Sequence, residues 1–459
     1  MIFLSINWSQ VGLQAGYLIF SLSILVILHE LGHFLTAKWF KCRVEKFYLF
    51  FDPWFSLVKK KVGETVYGIG WLPLGGYVKI AGMIDESMDK EQMKQPPQPW
   101  EFRSKPAWQR LIIMLAGVTM NVLLAFFIYA MILYKWGDTR LPMANVKSGI
   151  WITDSIMSRV GLRNGDHILS VDGQPVNYFE DASLDIILGD KIKVQRDGQD
   201  VMLVKPVDII GQLSEKKSKR STLLMPRMPV YVGSFDDTAS RSLKAAGLKP
   251  LDRIVAINGM PVEFFDQLDP MIEHQKNDSV TLTVQRGDRS FQARTLVNGN
   301  GKLGIYPVNL YQADSLGILK EVTRKYGFFE AFPAGVAKAG DKLDSYIQQF
   351  KQILNPQTGA IKGLGGFKTM ASIFPDSGWD WEAFWNITAF FSIILAFMNL
   401  LPIPALDGGH VLFTLYEMIS GRRPSDKFLE YAQIAGMVIL FALMLYANGN
   451  DWFGWGRGR

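Results

Sequence analysis

Four stretches of the chain run for the length of a bilayer without a charged residue. They cover residues 6–28, 111–134, 384–406 and 431–450, and the apolar part of the last one ends near Tyr446. About 20 helical residues cross the roughly 30 Å of hydrocarbon in a membrane. The pattern therefore predicts four transmembrane helices. No Lys or Arg precedes the first run, which leads straight into His29 and Glu30, so we predict that it is retained rather than cleaved as a signal peptide.

Basic residues beside these runs predict the orientation. The N-terminal flank has none, whereas the short segments between the first and second runs and between the third and fourth runs carry Lys38, Lys41, Arg43, Arg103, Lys105, Arg110, Arg422, Arg423 and Lys427. Short basic loops stay in the cytoplasm, which puts the N-terminus and the long segment 135–382 outside. Arg457 and Arg459 at the end of the chain are exceptions to this pattern.

Composition narrows the class of protein. The 459 residues are 48% hydrophobic and 20% charged, which excludes a disordered or fibrous chain. The net charge of +6 is a weak sign of contact with anionic lipid. No arginine-aromatic pattern indicates nucleic acid, so the predicted partner is the lipid bilayer. A single cysteine, Cys42, excludes an internal disulfide.

The outer segment contains an internal repeat. Residues 161–176 read GLRNGDHILSVDGQPV and residues 247–262 read GLKPLDRIVAINGMPV, with Gly-Leu, Asp, Ile, Gly and Pro-Val at the same places. A strand-like run follows each copy and ends in Val-Gln-Arg, at Arg196 and at Arg286. Two similar small β-rich domains are the simplest interpretation.

The repeated pattern resembles PDZ domains of the bacterial protease type, whose most recognisable stretch is GL..GD.I..ING. The second copy departs from it at Leu251, where the first has Gly165. The resemblance implies two PDZ-like α+β domains at 143–206 and 225–297, with a Lys-rich linker at 214–220.

The first candidate for chemistry is the sequence His29-Glu30-Leu-Gly-His33, which continues the first apolar run without a helix breaker. The two histidines are one helical turn apart on one face, a spacing that lets both imidazoles reach one zinc ion. Glu30 lies beside that face, placed to take a proton from a zinc-activated water. The alternative is a polar helix end at the water boundary. Unpaired ionisable groups beside hydrocarbon are costly and usually functional, which disfavours it.

A catalytic zinc has three protein ligands and an open fourth position. The acidic residue adjoining the third apolar run is Asp407, within Asn399-LLPIPAL-Asp407-GG-His410, where prolines and glycines interrupt the helix. Broken backbone at membrane depth normally lines a cavity. The alternative is that Asp407 caps the helix that resumes after the break. Two imidazoles and one carboxylate on a hydrolase helix favour zinc over other divalent metals.

Together, HExxH in the first run and NxxPxPxLDGGH in the third resemble the site-2 protease family of intramembrane zinc metalloproteases. The tandem PDZ-like insertion resembles its sigma-E-regulating type, and the similarity covers essentially the whole chain. It implies one Zn²⁺ per chain held by His29, His33 and Asp407, with Glu30 as the catalytic base. Asn399 matches an asparagine that holds the substrate backbone, although a helix–helix hydrogen bond is a comparable interpretation. His410 is left outside the ligand set, because a fourth protein ligand would close the site.

Residues 44–58 and 67–79 are rich in Val, Phe, Tyr and Leu, which predicts strands rather than a third helix. In the resembled family, the equivalent segment 44–82 dips into the membrane as a re-entrant β-hairpin, and its edge pairs with an unwound substrate. Gly75 and Gly76 would then allow close approach of the substrate backbone, while a simple turn is as good an interpretation.

The remaining segments follow from these assignments. The first helix with its flank is predicted at residues 1–43, and a cytoplasmic loop at 83–107. The second helix is predicted at 108–136 and a juxtamembrane helical segment at 326–375. The third helix, with the LDG motif, is predicted at 383–419 and the fourth helix at 428–448. Within 326–375, residues 332–354 have helical periodicity that suits a membrane surface or a gate. No role is assigned to residues 363–367.

The resemblance implies a multi-pass protein of the bacterial inner membrane with periplasmic PDZ domains. It would cut membrane proteins that have a single transmembrane helix, such as anti-sigma factors and signal-peptide remnants, after another protease has trimmed them. The PDZ pair would exclude untrimmed proteins. A catalytically silent PDZ adaptor and a zinc transporter are the alternatives. The oligomeric state and the exact substrates are left open.

Overall fold

The computed structural model describes residues 7–73, 75–83, 95–215, 222–236 and 240–456. It divides into two compact units. The first comprises Met1–Gly137, Lys325–Lys351 and Leu364–Arg459, and the second comprises Asp138–Arg324 and Gln352–Gly363. Leu74, most of the predicted linker and part of the predicted cytoplasmic loop lie outside the described residues.

The α-helices are, in chain order, α1 Trp8–Trp39, α2 Ala107–Lys135, α3 Ser155–Arg159, α4 Phe179–Leu188, α5 Ile209–Glu215, α6 Ser240–Ala245, α7 Leu268–Ile272, α8 Leu310–Ser315, α9 Phe328–Leu354, α10 Phe367–Ser372, α11 Trp381–Leu400, α12 Asp407–Ser420 and α13 Asp426–Phe453. The strands are β1 Val44–Leu49, β2 Phe51–Val62, β3 Thr65–Leu72, β4 Tyr77–Ile80, β5 Asp138–Arg140, β6 Ile150–Ile152, β7 His167–Val171, β8 Gln174–Pro175, β9 Lys191–Arg196, β10 Gln199–Val204, β11 Leu224–Pro226, β12 Val232–Phe235, β13 Arg253–Ile257, β14 Met260–Pro261, β15 Ser279–Arg286, β16 Arg289–Leu296, β17 Ile305–Pro307 and β18 Val322–Arg324.

The first unit contains four helices that are long and apolar enough to cross a membrane, as the sequence predicted: α1, α2, α11 and α13. Helix α1 continues well past the apolar run at 6–28, so that His29 and His33 are helical. Helix α13 is also longer than predicted. It begins after Ser425, whose side chain accepts a hydrogen bond from the Phe428 N–H, and ends at Gly454, which adopts a left-handed conformation.

The helix of the third apolar run, 384–406, is interrupted, as the prolines and glycines of the sequence predicted. Helix α11 ends at Leu400, residues 401–406 are not helical, and α12 begins at Asp407. Pro402 and Pro404 explain the break, since proline lacks the N–H that continues a helix and pushes the residue before it into an extended conformation. Leu401 accordingly has φ −61° and ψ 142°.

Between α1 and α2 the chain forms a four-stranded sheet of order β2-β3-β1-β4. Strands β2 and β3 form an antiparallel hairpin, β1 runs parallel to β3, and β4 runs antiparallel to β1. Strand β4 is thus an edge strand. The segment predicted as strands is a sheet, whereas its depth in the membrane stays a prediction.

The second unit contains the two sequence repeats, and both have the same strand pairing. The first forms a sheet of order β10-β9-β7-β8, and the second repeats it with β16, β15, β13 and β14. Even the register agrees, because Ile168 pairs with Val194 and Ile254 with Val284.

A hydrogen-bonded network explains which residues recur in the repeat. In the first copy, the Arg196 guanidinium donates to both carboxylate oxygens of Asp166 at 2.7 Å and to the Gly161 carbonyl at 2.8 Å. In the second, Arg286 does the same with Asp252 and Gly247. The aspartates are each 1% exposed. Buried carboxylates need such partners, so the repeated Gly, Asp and Arg act together.

The structure extends both copies beyond the predicted 143–206 and 225–297. Strand β6 of the first copy pairs with β11, and β12 of the second pairs with β17. Helix α5 (Ile209–Glu215) covers the start of the predicted linker. Strands of three or four residues are too short to show an alternating pattern, which is why the sequence did not reveal these boundaries.

We expect Asp166→Ala to destabilise the first repeat by about 3 kcal/mol, because it leaves the Arg196 guanidinium and the Arg163 N–H without their acceptor. Hydrogen exchange of the full chain in detergent would then show about 100-fold less protection in β7, with the second repeat unchanged. Asp200→Ala, which removes a half-exposed partner of Lys193, is the matched control and should change protection little. Equal effects of both variants would contradict a structural role for the buried pair.

Candidate metal centre

Helix α1 carries the two histidines of the HExxH sequence on the face that packs against α2. His29 and His33 are both buried, and their Nε2 atoms lie 3.3 Å apart. Gly32 lies between them in the sequence, and a Cβ there would come within 2.5 Å of the Ala116 carbonyl oxygen on α2. The glycine thus lets the two helices approach closely enough to enclose both imidazoles.

Asp407 reaches the same point from the other side. Its Oδ2 lies 3.2 Å from Nε2 of His29 and 3.2 Å from Nε2 of His33. Asp407 is the first residue of α12, and no side-chain capping hydrogen bond is present at this helix start. The alternative that Asp407 serves as a helix cap therefore finds no support in the geometry.

The break before α12 is held in place by neighbouring groups. A Cβ on Gly408 would come within 2.5 Å of the Leu400 carbonyl oxygen, and one on Gly409 within 2.7 Å of the Ile403 carbonyl oxygen. From α13, the Gln433 side chain accepts a hydrogen bond from the Ala405 N–H at 3.1 Å. A side chain at Gly436 would overlap the Pro404 carbonyl. These glycines allow the chain to double back tightly enough to present Asp407.

The three donor atoms form a nearly equilateral triangle with the dimensions of a zinc site. Ligands about 2.0–2.1 Å from a tetrahedral zinc lie about 3.3 Å from one another. His29, His33 and Asp407 are a group of described residues whose ligand atoms could hold a metal ion. Asp407 Oδ2 is buried without a hydrogen-bond partner among the described residues, although both imidazoles are near. Within the described part of the chain its lone pairs therefore have no other use, and the residues fit zinc.

Glu30 lies beside this triangle without belonging to it. It lines the same cavity as the three donors, together with Val78 of β4. The cavity has a volume of about 560 Å³ and is lined on the sheet side by residues from Gly76 to Ile80. The Glu30 carboxyl, the three candidate metal donors and the edge strand β4 therefore share one cavity.

The other residues singled out from the sequence also lie here. The Asn399 Nδ2 is 3.3 Å from Nε2 of His29, on the α11 side of the triangle. A Cβ on Gly76 would lie 2.6 Å from the Tyr48 carbonyl oxygen and 2.8 Å from Val26 Cγ1 of α1, so this glycine permits β4 to approach α1. Gly75 has φ +151° and lies near the Phe51 ring. His410 lines the cavity but is not in the donor triangle.

Helix α2 contributes groups whose role the sequence did not reveal. The Nδ1 of His33 is 2.8 Å from the Ile113 carbonyl oxygen, and Asn121 Nδ2 is 3.2 Å from Nδ1 of His29. Midway between them, a Cβ on Gly117 would lie 2.7 Å from Cε1 of His29. Residues 113, 117 and 121 are spaced by four, so they form one stripe of the helix. That spacing, together with a lone asparagine in an apolar run, was the feature of the sequence that could have indicated these contacts.

Comparison with known proteins places the chain in a family. The model of peptidase family M50 matches residues 17–443. The regulator of sigma-E protease RseP of Escherichia coli is 28% identical over 453 residues, covering 94% of this chain and 97% of that protein. The corresponding regulator of Haemophilus influenzae is 26% identical over 462 residues, covering 95% and 98%.

A Campylobacter jejuni protein named as a zinc metalloprotease is 28% identical over 458 residues, covering 98% of this chain and 96% of that protein. These relatives match the chain from end to end, and the family uses zinc. The chain belongs to peptidase family M50 and is a zinc metalloendopeptidase of the site-2 protease type.

Proposed function

We propose that His29, His33 and Asp407 hold the zinc and that Glu30 is the catalytic base of an intramembrane endopeptidase. The observation that carries this proposal is the triangle of donor atoms 3.2–3.3 Å apart, with the Glu30 carboxylate in the same cavity. Three protein ligands leave one position for water and substrate, which distinguishes a catalytic from a structural zinc site.

Zinc in this position lowers the pKa of a bound water towards about 7 and polarises a peptide carbonyl. Residues of the chain carry out the proton transfers and hold the substrate. Glu30 accepts the proton of the attacking water and then delivers it to the leaving amide nitrogen, so that one carboxyl serves both proton transfers. Asn399, whose amide lies beside the triangle, holds the substrate backbone.

We infer that substrate binds as a strand added to β4. This strand is at the edge of its sheet, and the backbone from Gly76 to Ile80 lines the cavity. Val78 of β4 and Glu30 line the same cavity, so an added strand would lie close to the proposed catalytic base. A transmembrane helix has its carbonyls bonded internally and must unwind before cleavage, and an edge strand offers the unwound segment new backbone partners.

The biological substrates are single-span membrane proteins of the anti-sigma factor type and signal-peptide remnants. This proposal rests on the four apolar helices and on the relatives named as regulators of sigma-E protease. The chain lies in the bacterial inner membrane, with residues 44–82 as a re-entrant sheet and the two repeats as periplasmic PDZ domains. The repeats act as a size filter that excludes substrates whose outer domain has not been trimmed.

We expect Glu30→Gln to reduce cleavage of a single-span substrate by at least 1,000-fold. This is roughly the reduction in rate expected when an enzyme loses both its general base and the nucleophile activation that depends on it. Zinc content measured by atomic absorption should stay at the wild-type level, because Glu30 is not in the donor triangle. His33→Ala is the control that should lose both zinc and cleavage. Cleavage by Glu30→Gln at the wild-type rate would exclude Glu30 as the base.

Strand addition predicts an alternating response to substrate backbone methylation. Successive residues of a strand direct their N–H groups to opposite sides, so only every second one bonds to β4. N-methylation at those positions of a synthetic substrate should lower kcat/KM by about 10-fold, since one hydrogen bond is worth roughly 1 kcal/mol and the methyl group adds steric conflict. Intervening positions serve as controls. A uniform or helical-period response would exclude the strand model.

The size filter can be tested by excising the two repeats at a structurally defined point. Strand β5 pairs with β18, which places Asp138 opposite Arg324, so residues 139–323 can be replaced by a short glycine linker. The shortened protein should cut untrimmed substrate at a rate within about threefold of trimmed substrate. Continued cleavage of trimmed substrate controls for the fold. Retained discrimination between the two substrates would refute the filter.

A further inference from the structure

Asn121 is a fully buried polar residue on α2 whose amide has a partner at one end only. Its Nδ2 lies 3.2 Å from Nδ1 of His29, whereas its Oδ1 is buried without a hydrogen-bond partner among the described residues. The backbone carbonyl of Asn121 accepts a hydrogen bond of 2.7 Å from the Ser392 hydroxyl of α11. The residue is thus fixed between two helices with its side chain directed at a histidine of the donor triangle.

The protonation pattern of His29 decides which end of that amide must face it. A neutral imidazole carries one proton, and the nitrogen that faces a metal must be the one without it. Since the Nε2 of His29 belongs to the donor triangle, its Nδ1 must carry the hydrogen and needs an acceptor. The two ends of an asparagine amide have nearly the same shape, so a half-turn of the amide places Oδ1 where this acceptor is required.

His33 shows the same arrangement with a different acceptor. Its Nδ1 lies 2.8 Å from the Ile113 carbonyl oxygen, which can only accept, and this leaves Nε2 free for the triangle. Ile113 and Asn121 lie on one stripe of α2 with Gly117 between them. A Cβ on Gly117 would come within 2.9 Å of the Nδ1 of His29, so a larger residue would push the imidazole away from Asn121.

We propose that Asn121 is a positioning residue of the zinc site. Its Oδ1 accepts the hydrogen on Nδ1 of His29 and so holds the tautomer and ring orientation in which Nε2 binds the metal. The inference rests on the proposed role of His29 as a ligand. Such partners of metal-bound histidines typically change metal affinity by 10- to 100-fold when they are removed.

The test measures zinc affinity of the full chain in detergent by competition with a chromophoric chelator, so that it does not depend on cleavage. Asn121→Leu, similar in size but without an acceptor, should bind zinc 10- to 100-fold more weakly. Asn121→Asp keeps an oxygen acceptor and should stay within about threefold of the wild type. Ser392→Ala, which removes only the hydrogen bond to the Asn121 backbone, is the matched control for helix packing.

The Asp variant also distinguishes the two amide orientations. If Nδ2 instead donated to Nδ1 of His29, a carboxylate could not replace it, and Asn121→Asp would lose as much affinity as Asn121→Leu. That result would overturn the proposal, as would wild-type affinity in Asn121→Leu. If the Leu variant fails to fold, the zinc affinity of Asn121→Asp is sufficient to distinguish the orientations. Visible spectra of Co²⁺-loaded proteins add a second readout, expected to match the wild type for Asp and to change for Leu.

If the proposed zinc site itself were wrong, the variants would show a different pattern of zinc binding. His29→Ala and His33→Ala should each abolish stoichiometric zinc binding. If they bind zinc like the wild type, the metal lies elsewhere and the proposed function fails. If they lose zinc while Asn121→Leu keeps it, only the positioning role fails.

Discussion

The metal site depends on a helix that must be broken inside an apolar bundle without leaving backbone groups unpaired. Every N–H of residues 401–406 is accounted for. Those of Leu401, Ile403 and Leu406 bond to carbonyls nearby in the chain, and that of Ala405 bonds to Gln433. Pro402 and Pro404 have no N–H to satisfy. Because unpaired backbone groups in hydrocarbon cost several kcal/mol each, this arrangement is what allows Asp407 to leave the helix axis and meet the histidines.

Helix α2 explains why the two histidines converge. Three of its positions, one turn apart, face α1: a carbonyl oxygen at Ile113, an absent side chain at Gly117 and an amide at Asn121. A side chain at the middle position would displace both imidazoles. In the proposed site the HExxH sequence supplies two of the ligand atoms, while contacts from the opposite helix would fix which nitrogen of each ring faces the metal.

Most of the site could be predicted from local sequence because its spacing is local. Two histidines four residues apart share a helical face whatever surrounds them, and a Pro-rich break followed by Asp-Gly-Gly marks the residue that leaves the helix. Hydropathy alone does not show the end of α11 at Leu400, because residues 401–406 are as apolar as the helix, and the two prolines are what mark it. The contact of Asn121 with His29 needs the register of one helix against another, which no local pattern encodes. Strands β11 and β17 escaped prediction for the related reason that their partners are distant in sequence.

The charges of the site give a last argument for a divalent cation. Glu30, in the body of α1, and Asp407, at the start of α12, line one cavity, and like charges in a medium of low dielectric repel strongly. The neighbouring buried pair of the bundle, Arg110 and Glu417, is neutral by itself at an N–O distance of 2.5 Å and offers no compensation. If His29 and His33 bind the metal as neutral imidazoles, as we propose, Glu30 and Asp407 together contribute a charge of −2, which one Zn²⁺ would balance. In the proposed site, the acidic pair that would serve the reaction therefore also favours binding of a divalent cation.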